Sequence, residues 1–177
     1  MGKQIRTLFK QSKEPLKNIV EMDETYMGQN RKRLVGTQVS KTKKPVIGAI
    51  ERNGEARIEV ADMVNHQSII PFIERNIDPK ASIKTDGGSH YKALKSIGYK
   101  HQSVMHCDGY VNKRTHAHVN NIEAFWGQIK RSINGTYHSV SAQHLQSYID
   151  EFAYRYNHRA SALPVFHGMA ELAGKPV

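Results

Sequence analysis

Residues 18–28, which have the sequence NIVEMDETYMG, decide the fold that this chain is predicted to adopt. The run is rich in apolar and β-branched residues and ends at Gly28, a pattern typical of a strand. An acidic residue, Asp23, stands inside this run. A second run at residues 82–85 leads directly into Asp86 and a Gly-Gly pair. The sequence therefore predicts two strands, each of which presents an aspartate.

The remaining chain alternates between strand and helix patterns. The apolar runs at residues 44–51 and 56–64 flank Asn53-Gly54, which is a strong signal for a β-hairpin. The first three strands are therefore expected to form an antiparallel meander. Helical spacing of apolar residues predicts four helices. They begin near His66, Ser89 (with Leu94 and Ile97 facing inward), Asn120 and Ser141, and a fifth strand is predicted over residues 100–107.

The order of these elements is β-β-β-α-β-α-β-α-α, which predicts an α/β fold. A meander followed by βα units gives a mixed five-stranded sheet with helices on both faces. In the ribonuclease-H-like (RNase-H-like) version of this order, the first and fourth strands are neighbours. Asp23 and Asp86 would then lie side by side in the sheet.

A third acidic residue, Glu123, belongs to the helix predicted over residues 120–133. Residues three, four and seven positions apart share one face of a helix. The face of Glu123 also carries Asn120 and Lys130, whereas the apolar stripe lies on the other side. Glu123 can therefore point towards the two aspartates while the stripe packs in the core. That stripe consists of Ile122, Trp126, Ile129 and Ile133.

Three carboxylates without nearby thiolates are the oxygen ligands that Mg²⁺ or Mn²⁺ prefers. Two such ions about 3.5–4 Å apart can promote in-line displacement at a phosphodiester, with the carboxylates as ligands. An acidic residue at a strand end or on a helix face is also often a solvated surface group. Glu21 and Glu24 compete with Asp23, and strand alternation puts Glu21 on the face of Asp23 and Glu24 on the opposite face.

Composition points to a polyanionic partner. The 177 residues include 26 Lys and Arg against 16 Asp and Glu, which gives a net charge of +10. Such a balance favours nucleic acid as the partner. No run approaches the roughly 18 apolar residues of a membrane span, and the single cysteine excludes an internal disulfide. A cytoplasmic location is therefore expected.

Basic residues are clustered along the chain. One cluster, Arg31, Lys32 and Arg33, lies in a polar loop that continues to a second cluster at residues 41–44. Such residues can contact phosphates without reading bases. Two later clusters contain Lys130 with Arg131, and residues 155–159.

Several motifs together resemble bacterial insertion-sequence transposases of the DDE superfamily. The nearest branch is the ISXO-like group, whose catalytic fold is similar to that of retroviral integrases. The resemblance covers about residues 18–160. It rests on MDETYMG at 22–28, TDG at 85–87, HVNNIEAFW at 118–126, KR at 130–131, GTYH at 135–138 and YRYNHR at 154–159.

The resemblance implies a reaction and roles for particular residues. Such enzymes hydrolyse a phosphodiester at the element end and then use the freed 3′-OH to attack target DNA. It implies that Asp23, Asp86 and Glu123 are catalytic metal ligands, with two ions when DNA is bound. The expected DNA contacts are Lys130, Arg131, Asn120, His118, Arg31, Lys32, Arg33, Asn157 and Arg159.

The resemblance also implies an organisation of the chain. We expect a basic lead-in over residues 1–17, an RNase-H-like catalytic domain over 18–160 and a C-terminal tail over 161–177. Joining two DNA ends predicts a homodimer or larger assembly on DNA, in the bacterial cytoplasm with the nucleoid. Two other interpretations stay open: an endonuclease of the same fold without strand transfer, and a DNA-binding protein without catalysis.

Overall fold

Five strands form one mixed sheet in the computed structural model, which describes residues 6, 9–28, 43–104, 118–161, 167, 168, 170 and 174. The spatial order is β3-β2-β1-β4-β5. β1, β2 and β3 are antiparallel neighbours, whereas β4 runs parallel to β1 and β5 parallel to β4. The predicted mixed sheet is therefore confirmed. The strands are β1 (Ile19–Gly28), β2 (Lys43–Glu51), β3 (Ala56–Val60), β4 (Ser82–Asp86) and β5 (Lys100–Val104).

Helices cover both faces of this sheet. Helix α1 (His66–Asn76) begins at a capping box formed by Asn65 and Ser68, and it packs on one face. Helices α2 (Asn120–Ser132) and α3 (Leu145–Asn157) pack on the other face. The sheet thus separates two apolar cores, and alternate residues of β1 enter different cores: Met22 faces α1 and Met27 faces α2.

The hairpin between β2 and β3 follows the Asn-Gly signal. Asn53 has a φ of 61°, a left-handed conformation that asparagine tolerates better than most residues. The N–H of Gly54 donates to the carbonyl of Glu51, which closes the turn.

Some boundaries differ from the prediction. The expected helix after β4 is a 3₁₀ turn, Ser89–Leu94, and Ser89 does not cap it. Leu94 is buried as predicted, but Ile97 lies beyond the turn and is 45% exposed, so its inward placement was wrong. A further 3₁₀ turn, Ala142–His144, separates Ser141 from α3, and a π-helical turn, Ile133–Tyr137, follows α2.

The described part of the lead-in packs against the sheet domain. Leu16 forms a parallel bridge with Ile77, and both side chains are buried. Phe9 is also buried, and Arg6 forms an ion pair with Glu151 of α3. The division of the chain at residue 17 stays a prediction. Among the described residues, no helix is both long and apolar enough to cross a membrane.

Candidate active site

The register between β1 and β4 brings two of the predicted site residues to the same level of the sheet. Glu21 is paired with Lys84 across these parallel strands. Asp23 and Asp86 each stand two residues further along, in strands that lie roughly 4.8 Å apart. Both side chains are half-buried. Asp23 and Asp86 are therefore neighbours in the sheet, as the strand order predicts.

Helix α2 brings Glu123 to the same region. It packs across β1 and β2, with the Trp126 ring directly on Gly48, and Gly48 is the β2 partner of Asp23. A Cβ at Gly48 would lie only 2.5 Å from Trp126 Cζ2, so glycine is what allows this close approach. Trp126 is buried and Glu123 is half-buried. The prediction that they lie on opposite sides of the helix was wrong, because residues three positions apart are only about 60° apart around the axis, so Glu123 lies at the edge of the packed face.

The electrostatic environment of Asp23 is strongly acidic. Burial, which is the largest cause, and the nearby negative charges, first that of Glu24, together raise the pKa of Asp23 from 3.8 to about 7. A hydrogen bond from the backbone N–H of Glu24 acts in the opposite direction, and the charges of Asp86 and Glu123 add to the rise of the pKa. Asp86 and Glu123 therefore both lie within electrostatic range of Asp23.

The donor chemistry of this group fits a divalent cation. Its ligands would be carboxylate oxygens, which Mg²⁺ and Mn²⁺ prefer, and a cation would relieve the repulsion that adds to the effect of burial on the pKa of Asp23. In the described residues no three His, Cys, Asp or Glu side chains already converge as a metal-binding cluster. Asp86 Oδ1 instead accepts a hydrogen bond from the N–H of Gly88 at 3.0 Å.

The two other acids of β1 have different partners. Glu21 is completely buried and faces the beginning of α2, where it accepts a hydrogen bond from the N–H of Asn121 at 2.9 Å. Glu24 lies on the opposite face and accepts a hydrogen bond from the Tyr91 hydroxyl at 2.6 Å. Sequence reasoning considered both residues only as competitors of Asp23. Their partners are 100 and 67 positions away along the chain, so no local pattern could have revealed them.

The predicted DNA contacts on α2 are exposed. Asn120, Lys130 and Arg131 all reach solvent, and the guanidinium of Arg131 lies over Gly127. Lys130 and Lys43 line a cavity of about 180 Å³ between the end of β1 and the end of α2.

His118 is turned towards Glu21, with its Nδ1 atom 3.4 Å from Glu21 Oε1. The other predicted DNA contacts lie elsewhere. Asn157 uses its side-chain amide to bond both backbone groups of Ala56, at 2.7 and 3.2 Å. Arg159 donates to the carbonyls of Gly54 and Tyr156 and stacks over the Tyr156 ring. The structure thus places both residues against the β2–β3 hairpin and its strand rather than among the acids. Arg31, Lys32 and Arg33 lie outside the described residues.

The sheet order and the helices on both faces define an α/β domain of the RNase-H-like type. Two structures of the HTLV-2 integrase catalytic core domain in complex with magnesium are similar to it. The dimeric form is 14% identical with a TM-score of 0.51, over 81% of this chain and 88% of that chain. The trimeric form is 13% identical with a TM-score of 0.44, over 89% and 83%.

The particular family is given by the sequence. The family model of the ISXO2-like transposase domain matches residues 15–157, and the chain belongs to this family of DDE transposases. This confirms the resemblance drawn from the motifs, and it supports nuclease and nucleotidyl-transferase chemistry at the level of the family. No curated protein sequence matches the chain.

Proposed function

We propose that this domain catalyses DNA transposition in the presence of Mg²⁺ or Mn²⁺, with Asp23, Asp86 and Glu123 as its metal ligands. The observation that carries the proposal is the shared level of Asp23 and Asp86 on neighbouring parallel strands, with Glu123 within electrostatic range of Asp23. This arrangement occurs in a chain that belongs to a transposase family.

The proposed chemistry has two steps at one site. In hydrolysis at the element end, the oxygen of a water molecule forms a new P–O bond as the bond from phosphorus to the 3′ oxygen breaks, which leaves a 5′-phosphate and a 3′-OH. In joining, this 3′-OH attacks a target phosphodiester, so that one P–O bond forms while another breaks. Asp23, Asp86 and Glu123 would hold a divalent cation, which would supply activation of the attacking oxygen and stabilisation of the leaving oxygen. The role of the three carboxylates is to hold the cation and orient it towards the phosphate.

The Lys43–Lys130 cavity supports a path for the DNA backbone. Neither lysine has an ion-pair partner among the described residues, so both ammonium groups can bind phosphate. Lys130 follows Glu123 by seven helical residues, which corresponds to about 10.5 Å along the axis. That separation is roughly three nucleotides of one strand at a rise of 3.4 Å each. We propose that a strand cut at the acids continues into this cavity.

The proposal extends to assembly and location. Joining two ends to one target needs two active sites held on the same DNA, so we propose a homodimer or larger complex on DNA, associated with the nucleoid. Size-exclusion chromatography with light scattering, with and without end DNA, tests the assembly. A complex that contains one protein chain per joined pair of ends would contradict it.

The decisive experiment measures cutting and joining together. Labelled element-end DNA and a plasmid target are incubated with Mg²⁺ or Mn²⁺ and wild type, Asp86→Asn or Asp62→Asn. Asp62 is an exposed acid that pairs with Lys44, so its variant controls for loss of one negative charge. Wild type and Asp62→Asn should form joined products, and Asp86→Asn should form none.

Other outcomes separate the alternatives. Cleavage without joining would favour an endonuclease. DNA binding without cleavage in either metal would contradict both enzymatic functions. Equal activity of Asp86→Asn and wild type would show that the proposed ligand set is wrong.

A further inference from the structure

We propose that Glu21 and Glu24 are positioning residues that attach the elements carrying Glu123 and Asp86 to the strand carrying Asp23. The inference rests on the proposed function, because it concerns the geometry of the same carboxylate site. Neither glutamate is proposed to bind the cation. Each acts through hydrogen bonds and ion pairs to a different element.

Glu21 binds the N-terminus of α2 from outside the helix. Its carboxylate is completely buried and accepts hydrogen bonds from the backbone N–H of Asn121 at 2.9 Å and of Ile122 at 3.4 Å. The side-chain amide of Asn121 donates to it at 2.8 Å. The N-cap residue of α2, Val119, provides no side-chain cap. Glu21 therefore supplies both the acceptor and the negative charge that a helix N-terminus favours.

The side chains of His118 and Arg52 complete the surroundings of Glu21, and His118 Nδ1 lies 3.4 Å from Glu21 Oε1. Arg52 Nε donates to Glu21 Oε1 at 2.8 Å, and Arg52 Nη2 donates to the backbone carbonyl of His118 at 3.1 Å. Arg52 thus also fixes the position of His118, in the segment that precedes α2. Because Glu123 follows Asn121 by two residues, a shift of this helix end displaces the Glu123 carboxylate.

Glu24 binds the segment that follows Asp86. The hydroxyl of Tyr91, which is fully buried, donates to Glu24 Oε2 at 2.6 Å. His90 Nε2 lies 3.0 Å from Glu24 Oε1, at ion-pair distance without hydrogen-bond geometry. Both partners belong to the 3₁₀ turn that begins three residues after Asp86. Gly88 connects the two, since its N–H donates to Asp86 Oδ1 and its backbone lies close to the His90 ring.

Asp23 stands between these two glutamates on the same strand. Loss of either glutamate should therefore weaken cation binding although no ligand is removed. A purely structural role would instead lower stability alone. Glu151 of α3 is a matched control, because it is 5% exposed and pairs with Arg6 at 2.7 Å and Arg155 at 2.8 Å.

The test uses the full chain and Mn²⁺ as the probe. Binding of Mn²⁺ to the DNA-free protein is measured by electron paramagnetic resonance for wild type, Glu21→Gln, Glu24→Gln and Glu151→Gln, and each melting temperature is recorded. We expect the Kd for Mn²⁺ to rise about 10-fold or more in the first two variants. Glu151→Gln should lower the melting temperature and leave the Kd within about twofold of wild type, because its partners lie outside the metal site.

A milder variant keeps the test valid if a glutamine variant does not fold. Tyr91→Phe removes only the hydroxyl that binds Glu24. Arg52→Gln removes only the guanidinium that binds Glu21. Both variants should raise the Kd for Mn²⁺. Unchanged Mn²⁺ binding in all variants, beside a wild type that binds Mn²⁺ and cuts DNA, would overturn the positioning role alone. A wild type that neither binds Mn²⁺ nor cuts DNA would overturn the proposed function, and this inference with it.

Discussion

At the scale of single residues, the environment of Asp23 connects the stability of the folded protein with cation binding. Folding buries its carboxyl group beside Glu24, Asp86 and Glu123, and this raises its pKa to about 7. Near neutral pH the metal-free protein therefore holds either a proton or an unfavourable charge at this position. A cation would remove that conflict, which is the physical reason to connect the raised pKa with metal binding.

The raised pKa of Asp23 predicts a pH-dependent stability. Between about pH 4 and pH 7 the native state binds a proton at Asp23 that the unfolded state has released. The free energy of unfolding should therefore fall as pH rises through this window, and the stabilisation should be lost above the folded pKa. Asp23→Asn should flatten this decline. Urea denaturation at several pH values in the presence of EDTA measures it.

Asp62→Asn is the control for this measurement. A hydrogen bond and the charge of Lys44 lower the pKa of Asp62, so this group stays ionised in both states over most of the window. Its variant should retain the decline of stability between pH 5 and pH 7. A wild-type protein whose stability rises over that range would contradict the assigned environment of Asp23.

At the scale of elements, the sequence allowed the strand order to be predicted but not the contacts between distant segments. The first and fourth strands were expected to be neighbours because they are neighbours in the RNase-H-like version of this element order, and the proximity of Asp23 to Asp86 followed from it. The partners of Glu21 and Asn157 lie 100 and 101 positions away. These contacts depend on the positions in which α2 and α3 pack on the sheet. The local periodicity of the sequence does not specify those positions.

The distance between α2 and the sheet can be tested through Gly48. Gly48→Ala would force its Cβ against the rigid Trp126 ring, because the two atoms would be 2.5 Å apart. We expect a loss of roughly 1–3 kcal/mol in the free energy of unfolding, which is typical of an overpacked core. Weaker Mn²⁺ binding should accompany it, since the displaced helix carries Glu123. Urea denaturation and Mn²⁺ titration provide the two readouts.

Gly135→Ala serves as the control for overpacking. A Cβ at Gly135 would have no neighbour within 4 Å, so its stability should stay within about 0.5 kcal/mol of wild type. If Gly48→Ala were as stable as Gly135→Ala, the close packing of Trp126 on the strand beside Asp23 would be contradicted.

At the scale of the whole molecule, the net charge of +10 is expected to act mainly through particular phosphate contacts. Lys43→Ala and Lys130→Ala should each weaken DNA binding and reduce the slope of log K against log salt by about 0.9, the change expected for one lost phosphate contact.

Lys80→Ala removes the same charge from an exposed turn before β4, at the opposite end of that strand from Asp86, and should leave the slope unchanged. Fluorescence anisotropy with labelled duplex DNA, at several salt concentrations without divalent metal, measures the slopes. Equal slopes for all three variants would mean that the basic charge acts diffusely, because a specific path through the Lys43–Lys130 cavity requires the two cavity lysines to differ from Lys80.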